Sequence, residues 1–396
     1  MMKDVQQQLR ALAVFMDLHK DPVFEAFCGM LDCYVKDPQH LEEAAAYFTG
    51  LLYREKTEDW SEYLQQQILG MNTCLSWFAS TEHELPERMV NTAMKELQAL
   101  SKAAAISPAM LNLPARSGWA AGEIDLQAEY LNRLMLLDLY GTGVFARGKM
   151  FRLRTEKPGH LEIVPVSNPD PVGFEQLYGY ESQHLQMLEN TRALLKGLPS
   201  SNLLLYGDAG TGKSASIKAL ENRFAKKGLR LIEVSKKQLE ALPDLMDQLA
   251  EEPLKFILFI DDLTFGEQED SFGELKAILE GSVSARAKNT VIYATSNRRH
   301  LIRESASARA GDDMHRRDTL QETLSLSQRF GQCIFFERPN ADEYKALIAR
   351  IGQEFGLNLS DEATLKEAEA FALSQGGRSA RVARQFAETR AARKGM

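Results

Sequence analysis

The sequence predicts a layered α/β domain with helical segments before and after it. Three observations lead there. Five short apolar runs, at residues 202–206, 229–234, 256–261, 290–295 and 332–337, are mostly separated by longer helical stretches. That is the pattern of a buried, largely parallel sheet. The first run is followed by GDAGTGKS, residues 207–214, a glycine-rich loop between a strand and a helix. At both ends of the chain, by contrast, apolar residues recur every three or four positions, as in Leu9, Leu12, Phe15 and Met16, then Phe24, Phe27, Leu31 and Tyr34.

Composition bounds the remaining possibilities. The chain has 396 residues, 44% hydrophobic and 26% charged, which fits two or three globular domains and excludes a wholly disordered chain. No apolar run approaches the roughly 18 residues a membrane span needs. Net charge is −8, of which −6 falls in residues 1–165. This argues against strong non-specific DNA binding by the whole molecule and leaves room for a local basic patch. Cys28, Cys33, Cys74 and Cys333 have the spacing of neither a zinc site nor a disulfide framework. Free thiols, and an N-terminus without a cationic segment leading into an apolar core, point to a cytoplasmic protein.

Taken in chain order, residues 1–142 read as an all-helical N-terminal domain, with helix breaks at Asp37-Pro38, Glu84-Leu85-Pro86 and Ser107-Pro108. Its His19, His40 and His83 have no paired ligand spacing, and Trp60, Trp77 and Trp119 read as core. It is assigned to recognition of a partner or substrate. Residues 143–170 hold a small β element around a glycine-containing turn, then a proline-rich linker, PVSNPDPVGFEQL, that runs on from Pro165. Residues 171–339 form the α/β core, and residues 340–396 a helical lid.

The loop fits G-x-x-x-x-G-K-S/T at every fixed position, and the chemistry explains each residue type. Gly207, Gly210 and Gly212 let the backbone curl so that N–H groups of the loop, through Asp208, Ala209 and Thr211, face phosphate oxygens. The helix that follows adds its N-terminal dipole. Lys213 reaches the β- and γ-phosphates, and the Ser214 hydroxyl is a Mg²⁺ ligand. Some 50 residues on, FILFIDD places Asp261 and Asp262 at the carboxyl edge of a buried strand, where ligands gather in open α/β sheets. Asp261 would hold Mg²⁺ through water, and Asp262 would orient or deprotonate an attacking water.

With these residues the chain resembles the AAA+ ATPases. That resemblance implies a P-loop NTPase core with a five-stranded parallel sheet, a helical C-terminal lid, ATP and Mg²⁺ as cofactors, and shared active sites in an oligomer. It implies sensor-1 duty for Asn297 at the end of YATSN, and an arginine finger at Arg329 in SLSQRFGQ that reaches the ATP of a neighbouring subunit. It also implies a sensor-2 arginine in GGRSARVARQF, Arg381 or alternatively Arg378, and packing of Gly179 and Tyr180 around adenine. Read singly, Asn297 is also a helix cap, Arg329 a surface arginine and Arg381 an exposed helix residue. More narrowly, GLRLIEVSK, FILFIDDLTF, VIYATSNRRHLI and LSLSQRFG look like a bacterial family of AAA+ ATPases of undefined biological role, over roughly residues 145–396. Asp262 stands where the wider superfamily has Glu, which puts the rate of hydrolysis in question.

Residues 298–317 carry six arginines, Arg298, Arg299, Arg303, Arg309, Arg316 and Arg317. They read either as a contact for nucleic acid, a protein chain or the next subunit, or as a solvated loop paired with local acids. No aromatic residue interleaves with them, which disfavours base stacking.

The leading expectation is an ATP-hydrolysing AAA+ oligomer, a ring or filament, that remodels or loads a macromolecule, with no membrane partner. The alternatives are a slow ATP-dependent switch or scaffold signalling through the N-terminal domain, and a small-molecule P-loop kinase.

Overall fold

The computed structural model describes residues 2–81, 84–114, 118–157, 160–264, 270–280, 287–297 and 329–394. They form two compact units, Met1–Arg147 and Gly148–Met396. Residues 298–317, with their arginine cluster, and His83 lie outside the described residues.

The first unit is helical: α1 (Met2–Arg10), α2 (Pro22–Lys36), α3 (Leu41–Arg54), α4 (Trp60–Gly70), α5 (Cys74–Ser80), α6 (Glu87–Ala104), α7 (Leu126–Met135) and α8 (Leu137–Tyr140). The proline breaks fall where expected. α2 stops before Pro38, α6 starts after Pro86, and Pro108 opens a 3-10 turn, Pro108–Leu111. The core is aromatic. Phe27 stacks on Trp60 at 4.3 Å between ring centroids, and Trp60 and Trp119 are buried. Each indole N–H is satisfied by a carbonyl, Ala103 O for Trp60 and Ile106 O for Trp119, both at 3.0 Å. Trp77 departs from expectation and is 48% exposed. Its short helix α5 buries Leu75 and Ser76, and one further step around the helix turns Trp77 outward.

The second unit holds β1 (Met150–Lys157), β2 (His160–Pro165), α9 (Glu181–Leu195), β3 (Leu203–Gly207), α10 (Lys213–Phe224), β4 (Leu229–Glu233), α11 (Leu242–Ala250), β5 (Lys255–Ile260), α12 (Asp270–Glu280), β6 (Thr290–Ser296) and β7 (Gln332–Phe336). Three helices follow: α13 (Ala341–Glu354), α14 (Glu362–Ser374) and α15 (Ala380–Lys394). Tyr344, Ile348, Ile351, Ala383 and Phe386 form a buried cluster among them.

The sheet corrects the expected five parallel strands. Among the described residues it has seven, in the order β2-β1-β4-β5-β6-β3-β7, and it is mixed. The five core strands are parallel, as the apolar runs predict. The small β element is not separate from them. β1 pairs with β2 antiparallel and with β4 parallel, Met150 opposite Leu231 and Phe151 opposite Ile232. Left alone, β4 would present an unpaired row of N–H and C=O groups at the sheet edge, and the hairpin covers it. Phe151 is wholly buried there while Arg152 and Arg154 face outward.

Strand order positions the site. β6 lies between β3 and β5, so the carboxyl ends of the three strands carrying Gly207, Asn297 and Asp261 stand side by side. Ligands collect at such an edge. Among the described residues no helix is long and apolar enough to cross a membrane.

Candidate functional site

β3 delivers the loop. Leu203, Leu204 and Leu205 are fully buried, so the strand is anchored up to Gly207. There the backbone takes φ +138°, and an added Cβ would lie 2.1 Å from Phe336 O of the neighbouring strand. Only glycine lets β3 and β7 close at that point. Gly210 and Gly212 are also left-handed, at φ +80° and +92°. α10 then starts at Lys213 with no side chain capping its N-terminus. Its first N–H groups therefore suit an anionic ligand, and the helix dipole favours one.

The acidic and polar residues predicted from separate stretches meet beside this loop. Ser214 Oγ donates to Asp261 Oδ1 at 2.6 Å, and Thr295 Oγ1 donates to the same oxygen at 2.5 Å. Thr295 Oγ1 also accepts from the Asp262 N–H at 2.9 Å. Asp262 itself has φ +50°, an uncommon left-handed conformation for a residue with a side chain. Its Oδ1 accepts from Asn297 Nδ2 at 2.8 Å. Asn297 Oδ1 in turn accepts from Lys213 Nζ at 3.3 Å. Lys213 Nζ also donates to the carbonyls of Gly207 (2.9 Å) and Asp208 (2.6 Å). A continuous hydrogen-bonded path thus runs Lys213–Asn297–Asp262. Burial holds the Lys213 ammonium below its usual pKa, against the opposing pull of the Asp208, Asp261 and Asp262 carboxylates.

These groups line a cavity of about 690 Å³, ample for a nucleotide-sized ligand. Tyr178, Tyr180 and His184 form part of its wall. Gly179, at φ +89°, turns the chain between the two tyrosines. The Tyr180 hydroxyl donates to Glu337 O at 2.8 Å and its ring lies 5.0 Å from that of Phe336. Ser216 Oγ donates to Gly212 O at 2.9 Å and lies 3.0 Å from His184 Nε2. The hydroxyl proton being committed, His184 carries its hydrogen on Nε2. Burial lowers its pKa to about 4, so the imidazole is neutral at neutral pH.

The arginines divide. Arg381 lines the cavity, and its backbone N–H donates to Gly210 O at 3.3 Å. Arg378 instead donates from Nε to Glu369 at 2.8 Å, tying the segment that precedes α15 back to α14. Arg329 precedes β7, whose first residue pairs with the first residue of β3. That places it at the amino edge of the sheet, away from the carboxyl edge where the loop lies. Sequence reasoning missed Arg384, which lines the cavity and pairs with Glu354 at 3.0 Å. It also missed His184, Thr295 and Arg338, whose partners come from distant strands and helices. Arg384 had a signal, one helical turn beyond Arg381.

The donor set fits Mg²⁺ and a polyphosphate. A hydroxyl and a carboxylate meet at one point as hard oxygen ligands, and the glycine-curled loop and uncapped helix start offer N–H groups to phosphate.

No curated protein matches the chain. Among solved structures it is similar to mutants of RuvB from Thermotoga maritima. A lysine-to-arginine mutant gives 17% identity and a TM-score of 0.37, covering 55% of this chain and 63% of that one. A proline-to-glycine mutant gives 17% and 0.38, covering 55% and 64%, and an arginine-to-alanine mutant 18% and 0.36, covering 55% and 63%. The chain thus spans less than two thirds of the RuvB chains it matches. Residues 147–394 match a single family model. The stretch contains the whole hairpin, sheet and C-terminal helices, and by it the chain belongs to the family described as protein of unknown function (DUF815).

Proposed function

We propose that this protein is an AAA+-type ATPase that binds ATP with Mg²⁺ at the carboxyl edge of the sheet and hydrolyses it to remodel or load a macromolecular partner, as an oligomer. The observation that carries the reading is the path from Lys213 through Asn297 to Asp262, beside the Ser214–Asp261 pair. In this reading residues 207–214 cradle the phosphates and Lys213 neutralises the β- and γ-oxygens. Ser214 and Asp261 hold the metal, which when bound supplies charge stabilisation at the transferred phosphoryl group. Asp262 orients the attacking water and Asn297 sets the position of Asp262. Arg381 reaches the phosphates from α15, and Gly179 and Tyr180 pack near the base. Residues 171–339 act as the core, 340–396 as its lid, 143–170 as edge strands and linker, and 1–142 as the recognition domain. Arg329 serves a neighbouring subunit's site, and residues 298–317 contact the substrate or the next subunit.

The test is ATP turnover by the full chain across protein concentrations. Lys213→Ala is expected to abolish nucleotide binding. Arg329→Ala is expected to lose activity and to regain part of it when mixed with Lys213→Ala, because each contributes an intact half-site. No regain on mixing counts against shared sites.

A slow ATP-dependent switch is the second reading. It is favoured by Asp262, one methylene shorter than Glu and fixed at φ +50°. Turnover that stays slow with candidate proteins, DNA and RNA selects it.

A further inference from the structure

Arg338 lies between β7 and α13, in ERPN, and belongs to no motif read from the sequence. Register explains where it arrives. Gly207 pairs with Phe336, so Asp208 leaves β3 and Arg338 leaves β7 at neighbouring points. Arg338 Nη2 bonds Asp208 Oδ1 at 3.2 Å, and Nη1 donates to Gly376 O at 3.2 Å. One planar guanidinium thus bridges the phosphate loop and the segment joining α14 to α15. The segment is shaped around it. Gly377 has φ +124°, and an added Cβ would lie 2.3 Å from Arg338 Nη1. The loop also touches the first turn of α15, where the Arg381 N–H donates to Gly210 O at 3.3 Å. The Arg338–Asp208 pair is about half exposed on both sides, so its contribution to stability is small. Its geometry is the informative part.

We infer that Arg338 is a positioning residue that ties the phosphate loop to the Gln375–Ser379 segment, so that ligand contact with the loop is transmitted to the C-terminal helices. Asp208 is suited to this. Its carbonyl accepts from Lys213 Nζ at 2.6 Å and from Thr211 Oγ1 at 2.9 Å, while its carboxylate holds Arg338. A shift of the loop backbone therefore moves the acceptor that Arg338 grips. A lysine would not serve, because a single ammonium lacks the planar fork that reaches two separated acceptors at once. The inference deepens the nucleotide-binding reading and rests on it only for the ligand arm of its test.

The experiment is hydrogen exchange with mass-spectrometric readout on the full chain, with and without ADP. Without nucleotide, Arg338→Gln is expected to speed exchange about fivefold in peptides spanning residues 207–213 and 374–381, the scale of one lost hydrogen bond. Asp208→Asn should do the same at residues 374–381, although it removes no contact made by their own side chains. The double variant should exceed neither single one, as members of one network do. Arg338→Lys should behave like Arg338→Gln. In the wild type ADP should slow exchange at 374–378, and Arg338→Gln should lose that response while still binding ADP. Unchanged exchange in Arg338→Gln, additive effects in the double variant, full rescue by Lys, or an ADP response that survives the loss of Arg338 each overturns the inference. If ADP fails to bind the wild type, the nucleotide reading falls, and the nucleotide-free variants still decide the bridge.

Discussion

Asn297 donates a 2.8 Å hydrogen bond to Asp262 between the adjacent carboxyl ends of β6 and β5. The left-handed backbone of Asp262, at φ +50°, aims its carboxylate at that amide, and the amide's oxygen faces Lys213 at 3.3 Å. Lys213 and Asp262 are therefore linked through one side chain.

Asn297→Ala is expected to cut kcat for ATP by about 10²-fold with little change in nucleotide affinity, because the lost contact orients Asp262 rather than the phosphates. Asp262→Asn should cost about 10²–10⁴-fold in kcat while ATP remains bound. Steady-state turnover paired with equilibrium binding checks both. A matched loss of affinity would place Asn297 in binding instead.

Gly207→Ala should be strongly destabilising, by about 3 kcal/mol or more. The added methyl would sit 2.1 Å from Phe336 O at a φ of +138°, combining a backbone clash with a forbidden conformation. Denaturant unfolding of the variant measures it. Gly212→Ala, whose Cβ meets nothing within 4 Å, should cost only the strain of its left-handed φ, about 1 kcal/mol.

Glu221, in α10, is fully buried, and among the described residues neither carboxylate oxygen has a hydrogen-bond partner. Burial pushes its pKa from 4.5 up to about 7, against the opposing charges of Lys149 and Arg230. A group with a raised folded-state pKa contributes its full stability below pH 4.5 and loses it as pH rises through 7. Glu221→Gln should therefore be more stable than the wild type at pH 8, by on the order of 3 kcal/mol, and nearly equal to it at pH 4.5. Urea unfolding at both pH values tests this. Glu252, also raised to about 7 by burial, leaves a residual slope in the variant.

His184 has the opposite sign. Its pKa is depressed from 6.5 to about 4, so the stability it supports is present above pH 6.5 and is lost as pH falls toward 4. Replacing it with Gln, which keeps a donor for Ser216 Oγ, should flatten the acid side of the stability profile. A slope between pH 6.5 and 4 that persists in the variant would assign it to other groups.

The local elements were legible in the sequence because local chemistry specifies them. Five apolar runs match β3–β7 to within a residue or two, and the stretch after Pro339 is helical as its apolar spacing predicts. Asn340 caps the start of α13, its side chain accepting from the Asp342 and Glu343 N–H groups at 3.0 Å. The glycine-rich turn between β3 and α10 was equally plain, since the positive φ of Gly207, Gly210 and Gly212 suits no other residue type.

Tertiary structure alone decided which strands are neighbours. Periodicity says that β1 is a strand and which face it buries, yet nothing in it says that its free edge pairs with β4. Hence among the described residues the sheet has seven strands where the apolar runs predict five. The same limit hid Arg338, which meets Asp208 only because β7 lies beside β3 in the register Gly207–Phe336. Trp77 was read as core from its side chain, and the short helix that carries it turned it outward. The sequence by itself determined the elements and the glycine-curled loop, through side-chain size, backbone freedom and hydrophobic spacing. The convergence of Lys213, Asn297 and Asp262 belongs to the strand order, which is set by long-range packing between segments dozens of residues apart.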